Sequence, residues 1–336
     1  MPSRLEWAGW LLCAGLLLVP SWPVASAFAP LAAVPPTLLL YTVPLMLVCG
    51  WVMAFDKVAG ALGVYCILRA LPFPPLAFET TAAVVAGIGL YGVALELPDE
   101  WDQPLRAALL TAGVFVVGFQ AGEYLLYQVG LIPHLIGGGI GNTNFVGAFV
   151  AITGALAPTV ALPLFAVGVA LSGSILAGMA FGAAMVWRFR AVWWTWASAV
   201  SLLLAVVCVR GSSLTSWAFR WSAWTWGATA WAQAPLLGHG PGFWERAGVV
   251  VSNATKSELL LQAHNDWLQI GVEYGLVGLG LLLFWCWHRR SAWTVPTWGP
   301  ALPAIVVSMA AMMPLHIPAI AAAVSVVLGR ATRRTA

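Results

Sequence analysis

The chain has 336 residues, of which 61% are hydrophobic and only 8% are charged. Soluble domains carry about 25% charged residues, so this composition excludes an ordinary soluble protein. The formal net charge of +3 comes without a long basic run, which excludes an extended nucleic-acid footprint. The five cysteines lie in apolar segments without CxxC spacing, so neither a disulfide framework nor a metal site is expected.

Continuous apolar runs predict an all-α, polytopic membrane protein with about 10–12 transmembrane helices, because a helix needs about 20 residues to cross a bilayer. The first run is preceded by Arg4 and ends near Ala25-Ser26-Ala27, a pattern typical of cleavable signal peptides. We expect an uncleaved first helix instead, because further apolar runs follow at once. In chain order the runs are 7–28, 37–55, 58–71, 80–95, 105–129, 144–156, 160–171, 174–187, 191–209, 265–287, 301–313 and 316–328.

Basic residues orient these runs, because arginine and lysine are enriched in cytoplasmic loops. With alternating spans, three basic clusters can all lie inside, together with both termini and the acidic loop 98–103. The segments 141–144 and 210–264 then face outward. The three clusters are Arg188 with Arg190, Arg289 with Arg290, and Arg330 with Arg333 and Arg334.

The long outer loop 210–264 contains a predicted helix. Its tryptophans at 217, 221, 224 and 231 recur at spacings of four, three and seven, which indicates helical periodicity. Arg220 lies on the same face, four residues before Trp224. This pattern favours a helix lying in the outer membrane interface, and the helix should end near Pro235, because proline cannot continue it.

A polar stripe opens the run after this loop. Histidine can take a proton from an attacking hydroxyl near neutral pH, so His264 is a candidate base, beside Asn265 and Asp266. Glu273 continues the stripe at four-residue steps from Asn265, through Gln269. A plain helix N-terminus, in which Asn or Asp caps and the histidine only decorates the interface, is an equal alternative.

Three further motifs lie on the predicted outer side. Residues 238–243 contain alternating glycines, including Gly240 and Gly242, which permit close backbone approach or form a plain turn. Asn142 and Asn144 open a run and are candidate substrate-binding residues, with helix capping alone as the alternative. The loop cations could bind phosphate oxygens or be ordinary solvated charges; they are Arg210, Arg220, Arg246 and Lys256.

Gln120, Glu123 and Tyr124 lie inside the run 105–129. An ionisable residue within a membrane is costly and marks a functional site by default. Glu123 therefore supports an alternative in which the chain is a transporter or flippase. Equally, Glu123 could pair with a neighbouring helix or reach water near the outer end of its span.

Four motifs in order resemble one family: Gly-Asn-x-Asn-Phe from 141, Arg220 in a Trp-rich helix, Pro-Leu-Leu-Gly-x-Gly-Pro-Gly-Phe from 235, and His-Asn-Asp-Trp-Leu-Gln-x-x-x-Glu-Tyr-Gly-Leu-x-Gly from 264. This resembles the O-antigen ligase and O-antigen polymerase superfamily of bacterial envelope glycosyltransferases. The resemblance covers about 141–283. It implies N-terminal transmembrane helices over 1–140 and a ligase-like membrane domain over 141–336.

The resemblance implies a multi-pass protein of the bacterial inner membrane with its active site facing the periplasm. Its donor would be an undecaprenyl-diphosphate-linked glycan, and its acceptor a glycan or lipid A-core sugar, with no nucleotide sugar, cofactor or required metal. His264 would activate the acceptor hydroxyl and Arg220 would stabilise the diphosphate leaving group. Asn265, Asp266 and Glu273 would support them.

One position departs from the family pattern. Many members carry Ser-Arg-Gly near the outer start of a span, and the arginine position corresponds to Gly173 here. In the family this arginine helps to bind the phosphates. The resemblance then implies that Arg210 or Arg246 substitutes for it, or that the chain is a non-catalytic homologue.

Overall fold

A computed structural model describes residues 4–18, 38–71, 76–132, 140, 142–190, 213–252, 257–259, 262–312, 315 and 317–335. Within these ranges the regular secondary structure is helical apart from one hairpin. The α-helices, α1 to α13, are Arg4–Leu18, Leu38–Met53, Lys57–Ala70, Leu76–Glu96, Asp102–Gln128, Thr143–Ala155, Leu162–Ser172, Ile175–Arg188, Ser213–Gln233, Phe243–Ala247, Asp266–His288, Ala301–Ala311 and Pro318–Arg333.

The hairpin joins β1 (Val250–Ser252) to β2 (Ser257–Leu259), with Val251 opposite Glu258 in an antiparallel register. Short 3-10 helices at Asp99–Trp101, Thr159–Ala161 and Arg290–Thr294 connect some of the α-helices. The predicted loop helix is confirmed as α9, which ends two residues before Pro235. The hairpin was not expected from the sequence, and the predicted run 191–209 lies outside the described residues.

Two described segments are long and apolar enough to cross a membrane by length and composition, Asp99–Gln128 and Asp266–His288. The described ranges also contain shorter apolar helices of 10–17 residues, such as Thr143–Ala155 and Ile175–Arg188. A straight crossing needs about 20 residues, so these helices do not reach that length. The all-helical class is therefore confirmed in its coarse form, and the number of spans and their orientation stay predictions.

The chain divides into two compact units. The first comprises Met1–Val24, Val93–Gly211 and Ser291–Ala336, and in it α6 packs against α7, α8 and α12. A charged network joins α13 to the end of α4 and the start of α5. Arg330 is fully buried and donates from Nε to Asp102 Oδ1 at 2.6 Å and from Nη1 to Ala94 O at 3.0 Å.

The second unit comprises Ala25–Gly92 and Ser212–Arg290, and in it α3 packs against α2 and α11. Asp56 caps α3 by accepting from Ala59 N at 3.0 Å. The same carboxylate accepts from Tyr91 Oη at 2.6 Å and from Trp285 Nε1 at 3.0 Å. It also pairs with Arg289 at 3.0 Å, so one buried carboxylate holds the C-terminal end of α11.

Candidate active site

The first turn of α11 carries the polar motif. Asn265 is its N-cap, and its side chain accepts from Leu268 N at 3.0 Å, so the capping alternative applies to this residue. Asp266 opens the helix and is only 1% exposed, where the positive end of the helix dipole favours a carboxylate. His264, just before the cap, has φ 53°. It is the one non-glycine residue with positive φ in the described ranges, a conformation that costs free energy and persists only where its surroundings hold it.

Two buried side chains hold the turn that contains His264. Gln269 Oε1 accepts from Ala263 N at 3.1 Å, and Gln269 Nε2 donates to Glu273 Oε1 at 3.2 Å. Both side chains are at most 4% exposed. The predicted polar stripe is thus a connected series of contacts, and its first link is the residue before His264.

Helix α9 brings Arg220 to the same place. Arg220 is 8% exposed, and its guanidinium carbon lies 5.9 Å from the Trp217 ring centroid, within cation–π range. The ring of the preceding residue, Phe219, lies 5.7 Å from the His264 ring in an edge-on arrangement. Phe219 also packs against an apolar cluster that contains the fully buried Trp244. The other buried members of this cluster are Ala223, Ala230, Ala263 and Val272.

The electrostatics of the pair favour a neutral imidazole. Burial and then the positive charge of Arg220 lower the pKa of His264 to about 4. The pKa of an exposed histidine is about 6.5, so His264 is uncharged at neutral pH. An uncharged ring can accept a hydrogen bond from a hydroxyl. An anionic group bound at Arg220 would offset the positive charge that lowers the pKa, and would so make the imidazole a stronger base.

A break in α11 lies about three turns beyond His264. Gly275 has φ 67° and ψ −168° within the helix, which frees two backbone N–H groups and two carbonyls that a regular helix would pair. The segment 235–240 satisfies all four groups. Leu276 N donates to Pro235 O at 2.8 Å and Val277 N to Leu236 O at 3.1 Å; His239 N donates to Val272 O and Gly240 N to Glu273 O, both at 2.8 Å.

Glycines permit this junction between the loop and the broken helix. A Cβ on Gly275 would lie 2.2 Å from Leu236 O, and one on Gly238 would lie 2.5 Å from the backbone carbon of Glu273. Gly240 and Gly242 also have positive φ, 87° and 68°. Because the Gly240 N–H already donates to Glu273, a substrate contact at Gly240 would have to use close approach rather than this donor.

Arg246 and Arg69 bind the glycine loop itself. Arg246 Nη2 donates to His239 O at 3.1 Å, and its Nη1 donates to Pro241 O. From α3, Arg69 Nη2 donates to Gly238 O at 2.9 Å, while Tyr65 Oη donates to Tyr274 O at 2.7 Å. Arg246 thus supports the backbone of the loop, and its role in phosphate binding stays a prediction. Tyr65 and Arg69 were missed; a lone arginine inside the apolar run 58–71 was the available signal.

Other predicted residues lie elsewhere. Asn142 caps α6 in the first unit by accepting from Asn144 N at 2.8 Å, so capping accounts for the Asn142 side chain. Arg210 and Lys256 lie outside the described residues. Gln120 and Glu123 are both buried in α5, at 3% and 6% exposure. Their role in transport and the substrate-binding role of the two asparagines stay predictions.

Gly173 ends α7 with φ 57° and ψ 19°. This left-handed conformation suits glycine and costs other residues about 1 kcal/mol. Ser174 then caps α8, its hydroxyl accepting from Ala177 N at 3.3 Å. The turn is therefore built around glycine at the position where the family pattern has arginine.

In the described ranges, no group of three or more His, Cys, Asp or Glu side chains could hold a metal ion. Residues 158–283 match the family model described as O-antigen ligase. This match confirms the resemblance to the O-antigen ligase superfamily and covers α9, the glycine loop and most of α11. No curated protein matches the chain.

Proposed function

From the premise that this chain carries an O-antigen ligase domain, we propose that it transfers a glycan from an undecaprenyl-diphosphate-linked donor to an acceptor sugar hydroxyl. The acceptor is a growing glycan or a lipid A-core, and the reaction takes place at the periplasmic face of the bacterial inner membrane. The observation that carries the proposal is geometric: the Phe219 ring contacts His264 edge-on, and the next residue, the buried Arg220, is close enough to lower the pKa of the imidazole.

The proposed step is a single displacement at the anomeric carbon of the donor. The acceptor oxygen forms the new glycosidic bond while the bond from the anomeric carbon to the diphosphate oxygen breaks. His264 takes the proton of the acceptor hydroxyl, as a general base. Undecaprenyl diphosphate leaves with the bonding electron pair, and Arg220 stabilises the charge that develops on it.

Contacts within each unit support the proposed alternation of spans, while the basic clusters give the orientation. In the first unit, Arg330 binds Asp102, and Arg188 Nη1 donates to Ala155 O at 3.3 Å. In the second, Arg289 binds Asp56. Each contact joins segments that alternating spans would put on the cytoplasmic side. Conversely, the contact of Arg69 with Gly238 joins two segments that would both lie outside.

Complementation tests the proposal. Wild type and variants are expressed at equal level in matched ligase-null and polymerase-null bacteria, and lipopolysaccharide ladders are read on gels. Losing a general base costs typically 10²–10⁴-fold in rate, so His264→Ala should abolish the ladder, and Arg220→Ala should do the same. The matched controls are His288→Ala and Arg290→Ala, at exposed positions near the far end of α11, which should retain it.

The host that is rescued separates ligase from polymerase activity. Ladders unchanged by His264→Ala would contradict the proposed chemistry. Loss of function in Glu123→Gln, with His264→Ala still active, would instead favour the transporter interpretation. If the envelope requires the chain but tolerates loss of both His264 and Arg220, the chain acts as a non-catalytic homologue.

A further inference from the structure

Helix α3 touches both parts of the junction between the glycine loop and the broken helix. Tyr65 donates to the carbonyl of Tyr274, immediately before the break, and Arg69 donates to the carbonyl of Gly238 in the loop. The two residues are four apart and therefore lie on one face of α3. A Cβ on Gly278 would lie 3.2 Å from the Tyr65 ring, so glycine there lets the ring reach the α11 backbone.

A series of contacts leads from this junction to the candidate base. The Glu273 carbonyl accepts from Gly240 N in the loop, and the Glu273 carboxylate accepts from Gln269 Nε2. Gln269 in turn accepts from Ala263 N, next to His264. Because His264 is held at φ 53°, its ring orientation depends on the surroundings that fix this turn.

We infer that Tyr65 and Arg69 are positioning residues for His264, acting through the loop junction and the pair Gln269–Glu273. This inference rests on the proposed function. Both side chains bind backbone carbonyls of the junction, so the inferred role acts through that junction. Their effect is on the fraction of molecules in which the imidazole is aligned with the acceptor hydroxyl, and small misalignments of a reacting group are costly in rate.

The second unit offers a matched control. Tyr91 also uses its hydroxyl to hold α11, but it does so through Asp56 and Trp285 near the C-terminal end of the helix. Tyr65→Phe and Tyr91→Phe therefore remove the same chemical group, the first from a hydrogen bond at the break in α11 and the second from the carboxylate that holds its C-terminal end. A merely structural role predicts similar consequences for both variants.

Hydrogen exchange on the purified full chain tests the physical part without any substrate. An ordinary hydrogen bond is worth about 1 kcal/mol, or roughly fivefold in an opening equilibrium. Tyr65→Phe should raise exchange about fivefold in residues 235–242 and 262–277. Tyr91→Phe should raise exchange near 283–289 and leave the first two segments unchanged. Equal exchange at 262–277 in Tyr65→Phe and wild type overturns the inference.

Transfer from a polyprenyl-diphosphate-linked glycan by reconstituted protein tests the functional part. Tyr65→Phe should lower kcat about fivefold or more with KM nearly unchanged, and Tyr91→Phe should leave kcat unchanged. Arg69→Ala should lower kcat, and Arg69→Lys should recover part of it. If Tyr65→Phe does not accumulate in membranes, Arg69→Ala and Arg69→Lys provide the same comparison.

The two proposals fail in different ways. Activity retained by His264→Ala overturns the proposed function. Inactive His264→Ala together with fully active Tyr65→Phe and Arg69→Ala overturns only the positioning role.

Discussion

Replacing Gly275 by alanine tests the junction at the break in α11. The φ 67° and ψ −168° of Gly275 lie in a region that is essentially restricted to glycine and costs other residues about 1–3 kcal/mol. The added Cβ would lie 2.2 Å from Leu236 O and 2.4 Å from Leu236 C, and these are backbone atoms that cannot rotate away. Relief of the clash must separate the loop from the helix, which places the four bonds of the junction at risk, at about 0.5–1.5 kcal/mol each.

Together these contributions predict that Gly275→Ala lowers the local stability of the junction by at least about 3 kcal/mol. Gly280→Ala is the matched control, because Gly280 lies in the same helix and a Cβ there meets nothing within 4 Å. Replacing a helical glycine by alanine stabilises by about 0.5–1 kcal/mol. Hydrogen exchange at Leu276 and Val277 measures the opening free energy. Exchange equally slow in Gly275→Ala and Gly280→Ala would refute the paired junction.

Three further predictions concern other parts of the chain. The pKa of His264 is lowered to about 4 in the folded chain, so as pH falls the unfolded chain protonates this imidazole before the folded chain does. The free energy of unfolding should therefore decline between about pH 6.5 and pH 4, and it should decline less in His264→Gln. An equal dependence on pH in both proteins would contradict the lowered pKa. Arg330→Met should cost about 1.5–3 kcal/mol in unfolding free energy, because it removes a buried charged hydrogen bond to Asp102 while Asp102 keeps its ion pair with Arg334. Arg333→Ala, at the partly exposed neighbouring position, should cost under about 1 kcal/mol, and similar losses in both variants would count against a buried network. Gly173→Ala should lower the free energy of unfolding by about 1 kcal/mol, because position 173 has a left-handed backbone conformation, and Gly173→Asn should lower it by less. Equal stability of the wild type and both variants would argue against that turn.

The helices could be predicted from the sequence because burial and helical periodicity act locally. The run 105–129 coincides with α5 to within a few residues, and α9 ends where Pro235 requires. The polar stripe from Asn265 to Glu273 was also predictable, since four-residue spacing puts these groups on one helical face.

The junction could not be predicted in the same way. Its pairing joins backbone groups of 235–240 to those of 272–277, and backbone donors and acceptors are identical in every sequence. The alternating glycines showed only that side chains are excluded there. Likewise, the sequence left Arg246 as a phosphate ligand or a solvated charge, and it did not show the hydrogen bonds from Arg246 to the loop carbonyls.

The lengths of the helices follow the apolar runs. Several runs of 12 to 16 residues form correspondingly short helices, such as Leu162–Ser172 and Pro318–Arg333. Apolar composition therefore located helical segments, while the number of complete membrane crossings depends on tilt and packing, which composition does not specify.

The most direct test of the central claim is release of undecaprenyl diphosphate by the purified chain in proteoliposomes. The donor is a labelled undecaprenyl-diphosphate-linked glycan from the matched bacterium, supplied with and without acceptor. The account predicts acceptor-dependent release and glycan transfer in equal amounts. It also predicts that His264→Ala and Arg220→Ala lose both products, whereas His288→Ala and Arg290→Ala retain them. Equal release and transfer by wild type and His264→Ala would contradict the account.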